Sequence, residues 1–123
     1  MSPSPSVPVV VLVVEDEGLV RLMAVDMLED AGLTVLEAGN ADAALGILES
    51  RSDVAILFTD VDMPGSMNGF ALAARVAERW PGIRLVITSG RCQPAYGDMP
   101  DAGLFLAKPY LPGQLVSAIR PAG

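Results

Sequence analysis

Six consecutive apolar residues, Val9-Val10-Val11-Leu12-Val13-Val14, five of them valine, constrain the fold of this chain more than any other feature. Branching at Cβ stiffens the valine side chain and suits it to a pleated strand. So short a run, with no polar alternation, is the pattern of a strand covered on both faces, as in the parallel sheets of α/β proteins. The run stops at Glu15-Asp16-Glu17. Beyond it Leu19, Val20, Met23, Met27 and Leu28 recur at helical spacing, with Met23 and Met27 read as core and Gly32 as the C-terminal stop.

The alternation repeats along the chain. Residues 34–38 read as a strand, and Asn40 as the cap of a helix running through Ala41, Ala44, Leu45 and Leu48. Residues 54–59 form a second fully apolar strand, and a helix over 70–80 ends at Pro81-Gly82. Residues 84–88 and 104–107 supply two more strands, and Pro112 opens a last helix reaching about residue 120. Five strands interleaved with helices, with no tandem hairpin signal, predict a parallel sheet between two helical layers, linked by right-handed crossovers. Residues 90–102 should hold the fourth helix but contain Pro94, Gly97 and Pro100, which predicts a short, frayed or absent one.

A chain of 123 residues suits one domain, here residues 9–123. The Pro/Ser-rich residues 1–8 read as a flexible lead-in or a cut linker. A net charge of −7 with no basic run argues against nucleic acid as a partner. A lone cysteine, Cys92, excludes an internal disulfide framework and suits the reducing cytoplasm. No apolar run approaches the roughly 20 residues of a membrane-spanning helix, so no membrane partner is expected.

Polar residues stand where four of the strands end: Glu15 and Asp16 after the first, Asp60 after the third, Ser89 after the fourth and Lys108 after the fifth. In an open parallel sheet these ends share one edge, where ligands of such folds bind. Each residue alone has a plain reading. Glu15-Asp16-Glu17 suits the positive end of a helix dipole, and Asp60 precedes the turn-forming Met63-Pro64-Gly65. Brought together, carboxylates about 4 Å apart repel by roughly 4 kcal/mol per pair at an effective dielectric near 20. A bound proton, Lys108 or a divalent cation would offset this. An all-oxygen cluster with no His or Cys nearby selects a hard ion, magnesium first and manganese as the alternative.

The segments Val13-Val14-Glu15-Asp16-Glu17, Thr59-Asp60-Val61-Asp62-Met63-Pro64-Gly65 with Asn68-Gly69, Thr88-Ser89-Gly90 and Lys108-Pro109 together resemble the receiver domains of two-component response regulators. Four such segments in order are far more specific than any one of them. The resemblance implies a flavodoxin-like, doubly wound five-stranded parallel sheet of order 2-1-3-4-5 with flanking helices. It implies that Asp60 takes a phosphoryl group from a histidine kinase or a histidine phosphotransfer protein, in a magnesium-dependent reaction that the domain itself catalyses and reverses. Asp16, Asp60 and the backbone carbonyl of Asp62 would ligate the metal, with Glu15 acting through a water. Lys108 and Ser89 would contact phosphoryl oxygens, and Ser89 with Phe105 would form the conformational switch read by a downstream protein. With no output domain after the last helix, a single-domain receiver is expected. In the family Lys108-Pro109 would be a cis peptide, and the first acidic residue is commonly Asp where this chain has Glu15.

Two other functions compete. The Asp60-Val61-Asp62 sequence also resembles the Asp-x-Asp motif of haloacid-dehalogenase-type phosphatases, but those place it after the first strand, whereas here the acidic pair comes first. A non-phosphorylated interaction module with a vestigial site finds no support in a full set of acceptor, metal, hydroxyl and ammonium groups.

Overall fold

The computed structural model describes residues 9–65, 67–91 and 103–119. The expectations placed on residues 1–8 and on the helix across 92–102 lie outside these residues. Five strands, β1 (Val10–Val14), β2 (Thr34–Ala38), β3 (Val54–Asp60), β4 (Arg84–Ser89) and β5 (Leu104–Ala107), form one parallel sheet in the order β2-β1-β3-β4-β5. The described helices are α1 (Gly18–Asp30), α2 (Ala41–Ser50), α3 (Gly69–Arg79) and α4 (Pro112–Ile119). The doubly wound fold and its strand order are therefore as the sequence pattern and the resemblance implied.

Because side chains alternate across a strand, β1 feeds two cores. Val10, Leu12 and Val14 pack with α2 and α3 through Ala44, Leu48, Leu72 and Val76, while Val11 and Val13 pack with α1 and α4 through Ala24, Leu28, Leu115 and Ile119. All five β1 residues are buried, which is why no polar residue interrupts the run. In β3 the alternation slips once: Val10 pairs with Val54 but Val11 with Ile56. Ala55 is left exposed at this bulge, so Val54 and Leu57 share one core while Ile56 and Phe58 share the other. The sequence reads this strand as continuous because an alanine is apolar on either side.

Local signals set the element ends. Asn40 accepts a hydrogen bond from Ala43 N at 2.8 Å, as its cap position predicts, and Asn68 caps α3 in the same way through Ala71 N at 2.9 Å. Helix α1 stops in a Schellman motif: Gly32 takes φ 87° while Gly32 N bonds Glu29 O and Leu33 N bonds Leu28 O. Met23 is a correction. It is 52% exposed, as are Leu19 and Leu22 at 72% and 52%, and the inward face of α1 is Ala24, Val25 and Leu28. The helix is apolar on more than one side, and the small Ala24 permits a close approach to the sheet, so spacing alone misplaced the core face. Met27 does pack against the core.

One glycine ties the fold to the site. Gly69, at the start of α3, is packed so tightly that a Cβ there would overlap the carbonyl oxygen of Asp60 and lie 2.8 Å from Val61 Cα, while its N–H bonds Val61 O at 2.9 Å. Backbone atoms cannot move aside as a flexible side chain can. Gly69→Ala is therefore expected to destabilise the protein by about 3 kcal/mol, measured by urea unfolding, through overpacking against the end of β3. An unchanged unfolding midpoint would mean that α3 does not press on β3 in this way.

Candidate functional site

Parallel pairing brings the strand ends level: Val14 opposes Thr59, Asp60 opposes Thr88, and Ser89 opposes Ala107. Backbone bonding continues one residue further, with Glu15 N to Ala38 O at 3.1 Å, Val61 N to Thr88 O at 3.0 Å and Lys108 N to Ser89 O at 3.0 Å. The residues singled out in the sequence are thus held by the same ladder as the sheet. Strand order reverses between β1 and β3, and the cleft at their carboxyl ends, about 320 Å³ in volume, is lined by Glu15, Asp16, Asp60, Asp62, Arg91 and Lys108 among others.

Glu15, Asp16 and Asp60 each offer a carboxylate oxygen within 4.8 Å of the others. Lys108 Nζ lies 3.1 Å from Glu15 Oε1 and 3.5 Å from Asp60 Oδ1, and the second Glu15 oxygen accepts from Glu17 N at 3.2 Å. Burial pushes the Asp60 carboxyl above its ordinary range; the Lys108 charge pulls the other way and the Asp62 carboxylate adds to the rise. Burial likewise raises Glu15, against the Glu17 N–H and Lys108 and with Asp60. For Lys108, burial alone would lower the ammonium, but Glu15 and Asp60 outweigh it and raise it. When ionised, three carboxylates against one ammonium leave a local excess of two negative charges.

The donor set fits a divalent hard cation. Its oxygens are carboxylates, and among the described residues the buried Asp60 Oδ1 accepts no hydrogen bond, with Lys108 Nζ at 3.5 Å. The cluster is thus able to hold such an ion.

Of the residues singled out in the sequence, Glu15, Asp16, Asp60 and Lys108 converge. Ser89 is buried beside them, its Oγ donating to Asp62 Oδ2 at 3.2 Å and accepting from Arg91 N at 3.1 Å. Phe105 stands apart, half-buried on β5 opposite Ile87 and packed against the α2/α3 core. The Lys108-Pro109 peptide is cis. Sequence reasoning gave Asp62 a role through its carbonyl and missed its carboxylate. It also missed Arg21, whose Nη1 donates to the Glu15 carbonyl at 2.7 Å and whose Nε donates to Glu37 at 3.0 Å. The only available signal was a basic residue in the first turns of α1 after an acidic loop. Among the described residues, no helix is long and apolar enough to cross a membrane.

Comparison with known proteins agrees with this geometry. Residues 11–120 match the family model of the response regulator receiver domain. The chain is 31% identical over 113 residues to the response regulator receiver protein CpdR of Brucella abortus (strain 2308), covering 89% of this chain and 92% of that protein. It is 37% identical over 114 residues to the sensor kinase CckA of the same organism, where the match covers 89% of this chain but 12% of the kinase. A crystal structure of a response regulator receiver protein from Sinorhizobium medicae WSM419 superposes with a TM-score of 0.83 at 25% identity, covering 91% of both chains. The chain spans less than a quarter of the length of several curated relatives it matches and nearly all of CpdR. With an acidic cluster at the switch point of a five-stranded sheet and this family's pattern over residues 11–120, the chain belongs to the response regulator receiver domains, the phosphoacceptor modules of two-component signalling.

Proposed function

We propose that Asp60 is the phosphoacceptor, taking its phosphoryl group from a histidine kinase or a histidine phosphotransfer protein. The observation that carries this reading is the buried Asp60 Oδ1, which accepts no hydrogen bond among the described residues and lines the cleft beside Lys108. An Asp60 carboxylate oxygen forms the new bond to phosphorus as the phosphorus–nitrogen bond of the phosphohistidine breaks, its electron pair remaining on the imidazole. Lys108, already within ion-pair distance of Asp60, neutralises charge on a phosphoryl oxygen. Ser89 Oγ donates to another after leaving Asp62. Asp16 and Asp60, with the Asp62 carbonyl, would hold magnesium, or manganese in its place, and Glu15 would reach it through a water. Such an ion supplies charge neutralisation for the transferred group.

The domain acts on itself and is not a turnover enzyme; its output is a change of shape. Ser89 and Phe105 form the switch in this reading, and a downstream protein reads it. A cytoplasmic location belongs to the same proposal, supported by the single cysteine, Cys92.

Incubation with magnesium and phosphoramidate, followed by intact mass, should show a transient gain of one phosphoryl group in wild type and none in Asp60→Asn. Lys108→Ala should slow the gain by about a hundredfold, the usual cost of removing one charge-stabilising group. A gain undiminished in Asp60→Asn would remove Asp60 from the acceptor role.

The raised carboxyls set a pH dependence. Asp60 and Glu15 hold protons more tightly folded than unfolded, so their ionisation costs stability above those values, and the cost is relieved as pH falls. A divalent ion relieves the same cost and competes with the protons. Magnesium should therefore raise the melting temperature at about pH 7.5 and do so less at about pH 5, by scanning fluorimetry. In metal-free buffer near neutral pH, Asp60→Asn should melt above wild type. Equal magnesium shifts at both pH values would contradict this account.

A further inference from the structure

Arg21 lies outside the acidic cluster, and nothing in the chemistry of phosphoryl transfer requires it. Its guanidinium nonetheless spans two loops at the functional edge. Nη1 donates to the carbonyl oxygen of Glu15 at 2.7 Å, and Nε pairs with Glu37 of β2 at 3.0 Å. The flat group lies against two glycines: a Cβ at Gly39 would sit 3.7 Å from Nη1, and one at Gly18 3.9 Å from Nη2. Arg21 also closes the first turn of α1, its N–H bonding Glu17 O at 2.9 Å. One side chain thus joins the ends of β1 and β2 to the start of α1.

The Glu15 carbonyl and the Asp16 N–H belong to one planar peptide unit. Fixing that oxygen fixes the rotation of the plane, and with it the direction in which Asp16 leaves the backbone. Asp16 is exposed, and among the described residues no group donates to its carboxylate. Glu15, by contrast, is held at every polar atom: its N–H by Ala38, its carboxylate by Lys108 and Glu17 N, and its carbonyl by Arg21. Arg21 is therefore the side chain through which the backbone under Asp16 is set. A guanidinium suits this task because its planar fork presents separate N–H groups, in fixed relative directions, to Glu37 and to the Glu15 carbonyl.

We propose that Arg21 is a positioning residue for the metal site: by bridging Glu37 and the Glu15 carbonyl it holds the Asp16 carboxylate in its ligating orientation and so sets the affinity for the divalent ion. The inference rests on the reading of Asp16 and Asp60 as metal ligands. Electrostatics alone gives the opposite sign, since removing a positive charge beside a cation site should tighten cation binding. Here Glu37 already offsets much of that charge. The lost orientation therefore outweighs the relieved repulsion.

Titration of the full chain with manganese, followed by the loss of the free-ion electron paramagnetic resonance signal, measures affinity without any phosphoryl transfer. Arg21→Ala is expected to raise the dissociation constant about tenfold, as removal of outer partners of metal ligands commonly does. Arg21→Lys should recover part of the loss, and Arg51→Ala, which breaks a surface ion pair with Asp53, should change nothing. The phosphorylation rate at saturating magnesium should equal that of wild type, so that the defect lies in metal affinity alone. Unchanged affinity in Arg21→Ala, tighter binding, or a lowered metal-free melting temperature with no affinity change would each overturn the proposal. Should Arg21→Ala not fold, Arg21→Met keeps the apolar stem and removes only the guanidinium, and it must weaken binding in the same direction or the idea fails. Absence of manganese binding in wild type would instead defeat the reading of the metal site itself, and Arg21's role with it.

Discussion

The backbone ladder at the carboxyl edge of the sheet holds like charges together against their own repulsion, and the rest of the site follows from that. Glu15 and Asp60 present oxygens within 4.8 Å of each other, a separation at which two full charges repel by about 3 kcal/mol or more at an effective dielectric near 20. The backbones beneath them cannot move apart, because Glu15 N, Val61 N and Lys108 N are each bonded into the neighbouring strand. Gly69 presses on the same turn from below. Two valine- and leucine-rich cores, one on each side of the sheet, supply the burial that makes the arrangement affordable.

What the fold leaves unbalanced at that edge is what makes it reactive. Lys108 answers part of the excess negative charge, and among the described residues Asp60 still has a buried oxygen that no donor bonds. A group that brings positive charge, or an electrophilic phosphorus whose own charge is neutralised, is bound more favourably there than at an ordinary carboxylate. Ser89 lies beside the cleft with its hydroxyl engaged by Asp62, so any group that takes up this hydroxyl exchanges one hydrogen bond at the end of β4.

Much of this was legible in the chain. Strands buried on both faces leave uninterrupted Val, Leu and Ile runs, and so β1 and β3 could be read directly. Asn40 and Gly32 mark helix ends through chemistry local to a few residues. The reading failed where the deciding neighbour is distant in sequence. Met23 was placed in the core because α1 is apolar on more than one side, and only the sheet shows which side it covers. The bulge at Ala55 is invisible because alanine fits either face. The Asp62 carboxylate and Arg21 were missed because their partners, Ser89 and Glu37, come from other strands.

The sequence by itself determined the alternation of strand and helix and the acidic, hydroxyl and ammonium residues that stand where strands end, since both are written in local periodicity and in residue type. Only the tertiary structure decided that those ends lie level, that Lys108 reaches Glu15 across 93 positions of chain, and that an Asp60 oxygen is buried with no hydrogen-bond donor among the described residues. Parallel strands pair with segments far away in sequence, and their register is set by hydrogen bonds between backbones that carry no residue-specific signal.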